Sequence, residues 1–403
     1  MAQLPDELVR EILLRVTPDD PACLLRAAVV CKSWRRMLAD PDFRCRHREL
    51  HPMPHVAGFL RIMSNTIPYS SRFESIYPTF RRPAARDLPG WLALDCRHGR
   101  ALFATPAPGG SRPVALDFIV WNPLTDERRR LPQPSPRPTA PPTGRSTDRP
   151  HFNAAVLCAA TAEGCDHRGC HRGPFRVVFL FSTSTRTCAL VYSSETDDWS
   201  YLTSTPGHNL YSVDNMPSPS VLVGDTLYFR GSGNYHAFEY QVTTHRLSAI
   251  YRPQSASLMA TADGEFHFTT LLEDPLSLCL WSAEKVPDGF EQWVQARAFN
   301  LETLLPKDTL TPRFNVTGSV EGADIIFVIV YKYAHHRGDV YMVHLNSGKI
   351  TKVFEGYSYV FPYTSFCIPV IDEAYTGEKP REGDQRKEKK KKVLVVPSGR
   401  GSR

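Results

Sequence analysis

Five side chains in one short stretch have the donors that a metal ion would use: Cys158, Cys165, His167, Cys170 and His171. Thiolate sulfur and imidazole nitrogen suit zinc, and four of the five could close a tetrahedron. The paired two-residue spacing of structural zinc modules is missing, however, and the stretch lies between two runs that read as strands and need no staple. The expectation is therefore simple loop thiols, with no metal and no cofactor. Other chemistries leave less trace. There is no phosphate-cradling glycine loop ending in Lys and Ser or Thr, no His-Glu-x-x-His and no Gly-x-Ser-x-Gly. Carboxylates are spread over many loops, so no acid and base pair stands out, and no catalytic residue is assigned.

Two basic stretches could contact phosphate: Arg128-Arg129-Arg130 and the run from Arg386 to Lys392. Neither is interleaved with aromatic side chains on which bases would stack. The net charge of +6 over 403 residues owes much to the second run, so the body is close to neutral. Binding of nucleic acid in the nucleus through the basic tail is thus the rival reading, and nucleic acid is the less favoured partner. The most apolar run, Ile325 to Tyr331, falls well short of the roughly 18 residues a membrane span needs, so no membrane partner is expected. No apolar stretch of signal-peptide type precedes Leu4, and ten cysteines are scattered over a large chain. Reduced thiols in the cytoplasm, the nucleus or both are expected.

The stretch from Leu4 to Leu38 reads as three short helices in a row. Pro5 suits a first helical position, and Asp6 and Glu7 put negative charge at the positive end of the helix dipole. Leu8, Ile12 and Val16 recur every fourth residue and form one apolar stripe. Asp20 and Pro21 restart a helix whose buried side is Leu24, Leu25, Ala28 and Val29. A third segment from Cys31 to Leu38 stops at Asp40 and Pro41, and the pattern from Asp42 to Leu50 permits one more short helix anchored by Phe43. Leu4, Leu13, Leu14, Val30, Cys31 and Trp34 are left over once each helix has turned a face inward. A unit this small buries too little of its surface to be stable alone, and the surplus points to a surface that another protein covers.

Here the chain resembles the F-box family, in which an opening Leu-Pro, a leucine-rich first helix and a later Val-Cys-Lys-x-Trp-Arg pattern recur in this order. In this sequence these are Leu4-Pro5, then Leu8, Ile12 and Leu13, then Val30-Cys31-Lys32-Ser33-Trp34-Arg35. The resemblance implies that Leu4, Pro5, Leu8, Ile12, Leu13, Val30, Cys31 and Trp34 bind a Skp-type adaptor, and through it a cullin and a RING subunit. It further implies a protein that recruits a substrate, of unknown identity, to a ubiquitin ligase and makes no bond itself.

Beyond about Gly58 the hydrophobic period changes. Trp91 to Cys96, a turn at Arg97-His98-Gly99, and Ala101 to Phe103 read as a hairpin. One phrase then keeps returning: an apolar strand ends in an aromatic residue or close to one, and a polar turn follows. The copies are Phe118–Trp121, Ala189–Tyr192, His236–Tyr240, Leu278–Trp281 and Val340–His344. Their spacing suits propeller blades with insertions, since small sheets hide their faces by packing on the next blade. Asp95 to Arg100, Val120 to Thr125, Gly173 to Val178 and Val191 to Thr196 also resemble the grass-type group of F-box proteins that carries an F-box-associated propeller. Asp263 to His267 departs from that group and leaves the blade boundary there open. The expected fold is α+β in separate domains: a three-helix module over 1–52, then an all-β domain over 53–371, most simply a β-propeller. Residues 131–150 form a proline-rich loop and 372–403 a basic tail with no core-forming pattern.

Overall fold

Pro5, Asp40 and Pro41 set the limits of the first elements. In a computed structural model of the protein, most of residues 4–365 are described, omitting 17–20, 52–54, 64–69, 77–85, 106–115, 136–150 and shorter loop stretches. The first helix, α1 (Asp6–Leu14), opens with the amides of Leu8 and Val9 donating to the Pro5 carbonyl at 3.0 and 3.1 Å. After α2 (Pro21–Val30), the Cys31 thiol caps α3 (Lys32–Ala39) by accepting from the Trp34 amide at 3.4 Å. Cys31 is thus a cap and not a helical residue. Asp40 caps α4 (Pro41–Leu50) through the Asp42 amide at 3.2 Å. The module therefore has four helices rather than three, the fourth being the helix the sequence permits from Asp42 to Leu50, begun one residue earlier at Pro41. The expected cap at Asp20 lies outside the described residues.

The faces of α1 and α2 differ from the expected ones. Val9, Leu13 and Leu14 are buried with Leu24, Ala27, Ala28, Leu38 and Phe43, while Leu8 and Ile12 point outward and Val29 is 77% exposed. Both faces of α1 satisfy a four-residue spacing, so helix period alone does not choose between them. Packing by the other helices does. His47 of α4 and His51, which caps its C-terminus, then close α1: His47 Nε2 donates to the Val16 carbonyl at 3.0 Å and His51 Nε2 to the Leu14 carbonyl at 2.9 Å. They satisfy carbonyls that a helix end leaves without partners. Burial lowers the pKa of His47, which favours the neutral ring that this bond uses.

Residues 55–365 build six four-stranded antiparallel sheets. The first sheet holds β1 (His55–Met63), β2 (Ser70–Ser75) and β3 (Arg86–Pro89). The second runs β4 (Leu92–Arg97), β5 (Arg100–Ala104), β6 (Phe118–Trp121), β7 (Arg128–Leu131), and the third β8 (Phe152–Cys158), β9 (Phe175–Ser182), β10 (Arg186–Ser193), β11 (Asp198–Pro206). The fourth is β12 (Val221–Val223), β13 (Thr226–Arg230), β14 (His236–Gln241), β15 (Leu247–Tyr251), and the fifth β16 (Ser257–Ala260), β17 (Phe266–Glu273), β18 (Leu276–Lys285), β19 (Glu291–Asn300). The sixth is β20 (Arg313–Ser319), β21 (Ile325–Tyr331), β22 (Gly338–His344), β23 (Ile350–Glu355). The last strand, β24 (Val360–Ser365), returns to pair with β1 and becomes the inner strand of the first sheet. The fold is a six-bladed β-propeller closed by its own C-terminal strand. A side chain at Gly318 would collide with the Val360 carbonyl, so glycine lets the sixth blade meet that closing strand.

The returning phrase is the third strand of a blade with the turn after it: β6, β10, β14, β18 and β22. Its aromatic residue has a local role. Trp121 Nε1 donates to Asp126 Oδ1 at 3.0 Å, Tyr192 Oη donates to Asp197 Oδ1 at 2.7 Å, and Tyr240 Oη bonds His245 Nδ1 at 2.7 Å. Asp126, Asp197 and His245 all have positive φ, and Asp and His tolerate that region better than most residues. The first blade lacks the phrase because its third strand, β2, ends at Ser75. Asp263 to His267 falls inside the fifth blade, across the turn from β16 to β17, and marks no blade boundary.

At the centre of the ring, Arg97 at the end of β4 donates Nε to Glu321 Oε2 at 2.8 Å and Nη1 to Asp95 Oδ2 at 2.5 Å. Its Nη2 reaches the Ser220 carbonyl at 2.9 Å. Asp95 also accepts from the Val156 amide in β8 at 2.7 Å, and Glu321 from the Leu222 amide in β12 at 2.6 Å. Four of the six blades thus meet at one cluster. Burial pushes Asp95 up to about 6, helped by the Glu321 charge and opposed by Arg97. Burial works against the charge on Arg97, but Asp95 and Glu321 outweigh it and hold the guanidinium above its ordinary value. Removing one member of a buried charge group leaves the others uncompensated, at a cost of about 3–5 kcal/mol. Arg97→Met should lower urea-unfolding stability by about that much, whereas Arg128→Met, on an exposed edge, should change it by less than about 0.5 kcal/mol.

Candidate partner-docking surface

Exposed apolar residues of the helical module fall in two groups, one along α1 and one at the end of α2, with Leu50 at the end of α4 apart from both in sequence. Leu8 and Ile12 are one turn apart on α1 and 52% and 55% exposed, and Leu4, one turn earlier, is 59% exposed. Val29 and Val30 at the end of α2 and the Cys31 cap are also exposed. The Ser33 hydroxyl at the start of α3 donates to Asp6 Oδ2 at the start of α1, at 3.4 Å, and ties the first turn of α1 to the segment that follows the second group. Fully burying a Leu, Ile or Val side chain gains about 1.5–3 kcal/mol, so this edge holds a large unrealised driving force for association.

Of the residues expected at the surface, Leu4, Pro5, Leu8, Ile12, Val30 and Cys31 are exposed, and Trp34 is half-buried against the module core. Leu13 differs from these: only 4% exposed, it packs inward into the module core. Val29 was missed because it was assigned to the inner face of α2. Its place beside Val30, immediately before the Cys31 cap, was the available signal.

The five donors on the loop after β8 are only partly gathered. Cys158 Sγ lies 3.8 Å from Cys165 Sγ, and the sulfurs of Cys158, Cys165 and Cys170 are all within 4.8 Å of one another. His167 and His171 lie outside the described residues. The three described thiols of the stretch therefore form one group, a proximity that their spacing in sequence does not show. The loop neck is closed by the Ala159 amide on the Pro174 carbonyl at 3.0 Å and the Gly173 amide on the Cys170 carbonyl at 2.9 Å, which folds the thiols onto the end of β8. Burial, and then the neighbouring Cys158, push the Cys170 thiol up to about 12.

Residues 1–46 match the F-box domain family. The N-terminal module is an F-box domain. Over 136 residues the chain is 29% identical to an Arabidopsis thaliana protein whose name describes it as an F-box/kelch-repeat protein. That match covers 32% of this chain and 35% of the relative, about a third of the relative's length. Among solved structures, a Lactobacillus plantarum protein has a TM-score of 0.42 at 10% identity, covering 76% of this chain and 97% of that one. TolB from Acinetobacter baumannii has a TM-score of 0.40 at 10% identity, covering 83% and 72%. The β-propeller domain of the Trilobed protease from Pyrococcus furiosus has 0.36 at 8%, covering 75% and 82%. Likenesses this distant carry no argument about function.

The two faces of α1 separate in a mutational test. Leu13→Ala should destabilise the F-box domain by about 2–5 kcal/mol as a core truncation. Ile12→Ala, on the exposed face, should change thermal stability by less than about 0.5 kcal/mol. Equal losses from the two would contradict the assignment of faces.

Proposed function

We propose that the chain is the substrate-recruiting subunit of a Skp–cullin–F-box ubiquitin ligase. The F-box domain docks on a Skp-type adaptor, which carries a cullin and a RING subunit, and the propeller holds a protein substrate. The observation that carries this reading is the exposed apolar edge of Leu4, Leu8, Ile12, Val29 and Val30 on a domain of the F-box family. The chain itself makes no bond. It raises the effective concentration of a substrate lysine near a charged ubiquitin-conjugating enzyme. Such a protein works in the cytoplasm, the nucleus or both. The phrases around Asp95 and Val120 support a place in the grass-type group with an F-box-associated propeller.

Ring geometry supports a division of the two faces. β1 starts beside the end of β24, with His55 opposite Ser365, and only residues 51–54 separate β1 from α4. Four residues reach about 14 Å at most, so the F-box domain hangs from the face where the inner strands end. Most of the long connections, 105–117, 132–151, 207–220 and 301–312, belong to the opposite face, which is the one we assign to the substrate. The nucleic-acid reading has less support. Arg128, Arg129 and Arg130 pair with Asp126, Asp197 and Asp117 at 3.4, 3.1 and 3.8 Å, so these charges are already matched within the fold. The run from Arg386 to Lys392 lies outside the described residues.

The test is capture of a purified Skp-type adaptor by the full chain. Interface anchors cost about 2 kcal/mol or more on truncation, about thirtyfold in affinity. Leu8→Ser with Ile12→Ser should weaken capture at least that much while the propeller keeps its unfolding midpoint. Undiminished capture by the double variant would refute the docking edge.

A further inference from the structure

We propose that Cys158, Cys165 and Cys170 bind one zinc ion at the mouth of the third blade, with Arg100 as its buried counter-charge. In a tetrahedral site with zinc–sulfur bonds of about 2.3 Å, neighbouring sulfurs lie about 3.8 Å apart. Cys158 and Cys165 already have that separation, and Cys170 completes a triangle within 4.8 Å. Cysteines also gather as small apolar side chains in cores. That account fits Cys158, which is buried, but not Cys165 and Cys170, which are half-exposed on a loop.

It also leaves Arg100 without a reason. This side chain is 3% exposed and is brought to the thiols by the β4–β5 hairpin of the neighbouring blade. Its Nη2 donates to the carbonyls of Cys170 and Gly173, the latter at 2.6 Å, so it clamps the loop that carries two of the sulfurs. Nη1 is buried with no hydrogen-bond partner among the described residues. Three neutral thiols give this buried cation little. When a zinc ion replaces the three thiol protons, which leave to solvent, three thiolates and one divalent cation form a singly negative group, and Arg100 neutralises it. The ion would fasten residues 159–174 to the face of the ring from which the F-box domain hangs.

Cadmium reports thiolate ligation through an ultraviolet charge-transfer band. Titrated into the full chain under anaerobic, reducing conditions, it should give a band that saturates near one ion per chain and is displaced by zinc. Cys165→Ser and Cys170→Ser should each weaken binding at least about tenfold, while Cys23→Ser with Cys45→Ser, in the F-box domain, should leave it unchanged. In the unaltered zinc-loaded protein, a mercurial thiol reagent should release the ion in step with modification of Cys158, Cys165 and Cys170, read by mass spectrometry. The proposal is overturned by absence of a stoichiometric band, by binding that survives Cys165→Ser with Cys170→Ser, or by release that tracks other cysteines.

Discussion

The ring depends on Arg97. Its guanidinium sits between Asp95 of its own strand, Glu321 of the sixth blade and Ser220 at the edge of the fourth, and the Val156 amide of the third blade completes Asp95. Second, fourth and sixth blades are not neighbours, so only a closed ring can bring these groups to one point. An open arrangement, or two stacked sheets built from the same strands, would leave a buried charge without its partners, and such a charge is far more costly than a lost apolar contact. β24 couples to the same region: Tyr363 Oη donates to the Gly99 carbonyl, one turn from Arg97, at 3.3 Å. Closure by the C-terminal strand and assembly of the central cluster therefore support each other.

Around that centre, what was legible in the sequence was what local chemistry determines. The β4–β5 turn, with His98 and Gly99 both at positive φ, is a tight hairpin of the kind that suits the strand twist, and glycine at its second position announced it. Five of the six blades were visible as a strand ending in or near an aromatic residue before a polar turn, because in three of them the aromatic side chain holds the turn residue. Long-range pairings were not legible. Nothing near Arg97 in sequence points to Glu321, and nothing in the first blade shows that its inner strand comes from the other end of the domain. The grouping of the three thiols was not legible for a related reason: the loop neck and Arg100, not a short repeat, bring the sulfurs together.

The F-box domain shows the same limit on a smaller scale. Leu8 with Ile12 and Val9 with Leu13 are equally good stripes on α1, and the choice is made by the side chains of α2, α3 and α4 that fill one side. The consequence is functional. A domain of four short helices uses Leu13, Leu14, Leu24, Leu38 and Phe43 for its own core and leaves Leu4, Leu8, Ile12, Val29 and Val30 at the surface. Apolar area of that size on so small a unit is costly in water and becomes favourable when a partner covers it. With residues 51–54 as the tether to the propeller, the proposed arrangement lets an adaptor cover the domain while the opposite face of the ring stays open to a substrate.

Backbone hydrogen exchange of the full chain, alone and in complex with a Skp-type adaptor, tests this division of surfaces most directly. The account predicts slowed exchange in the complex for amides of residues 8–14 and 29–38, with the inner strands of the ring unchanged. A complex whose added protection falls in the propeller and spares α1 would contradict it.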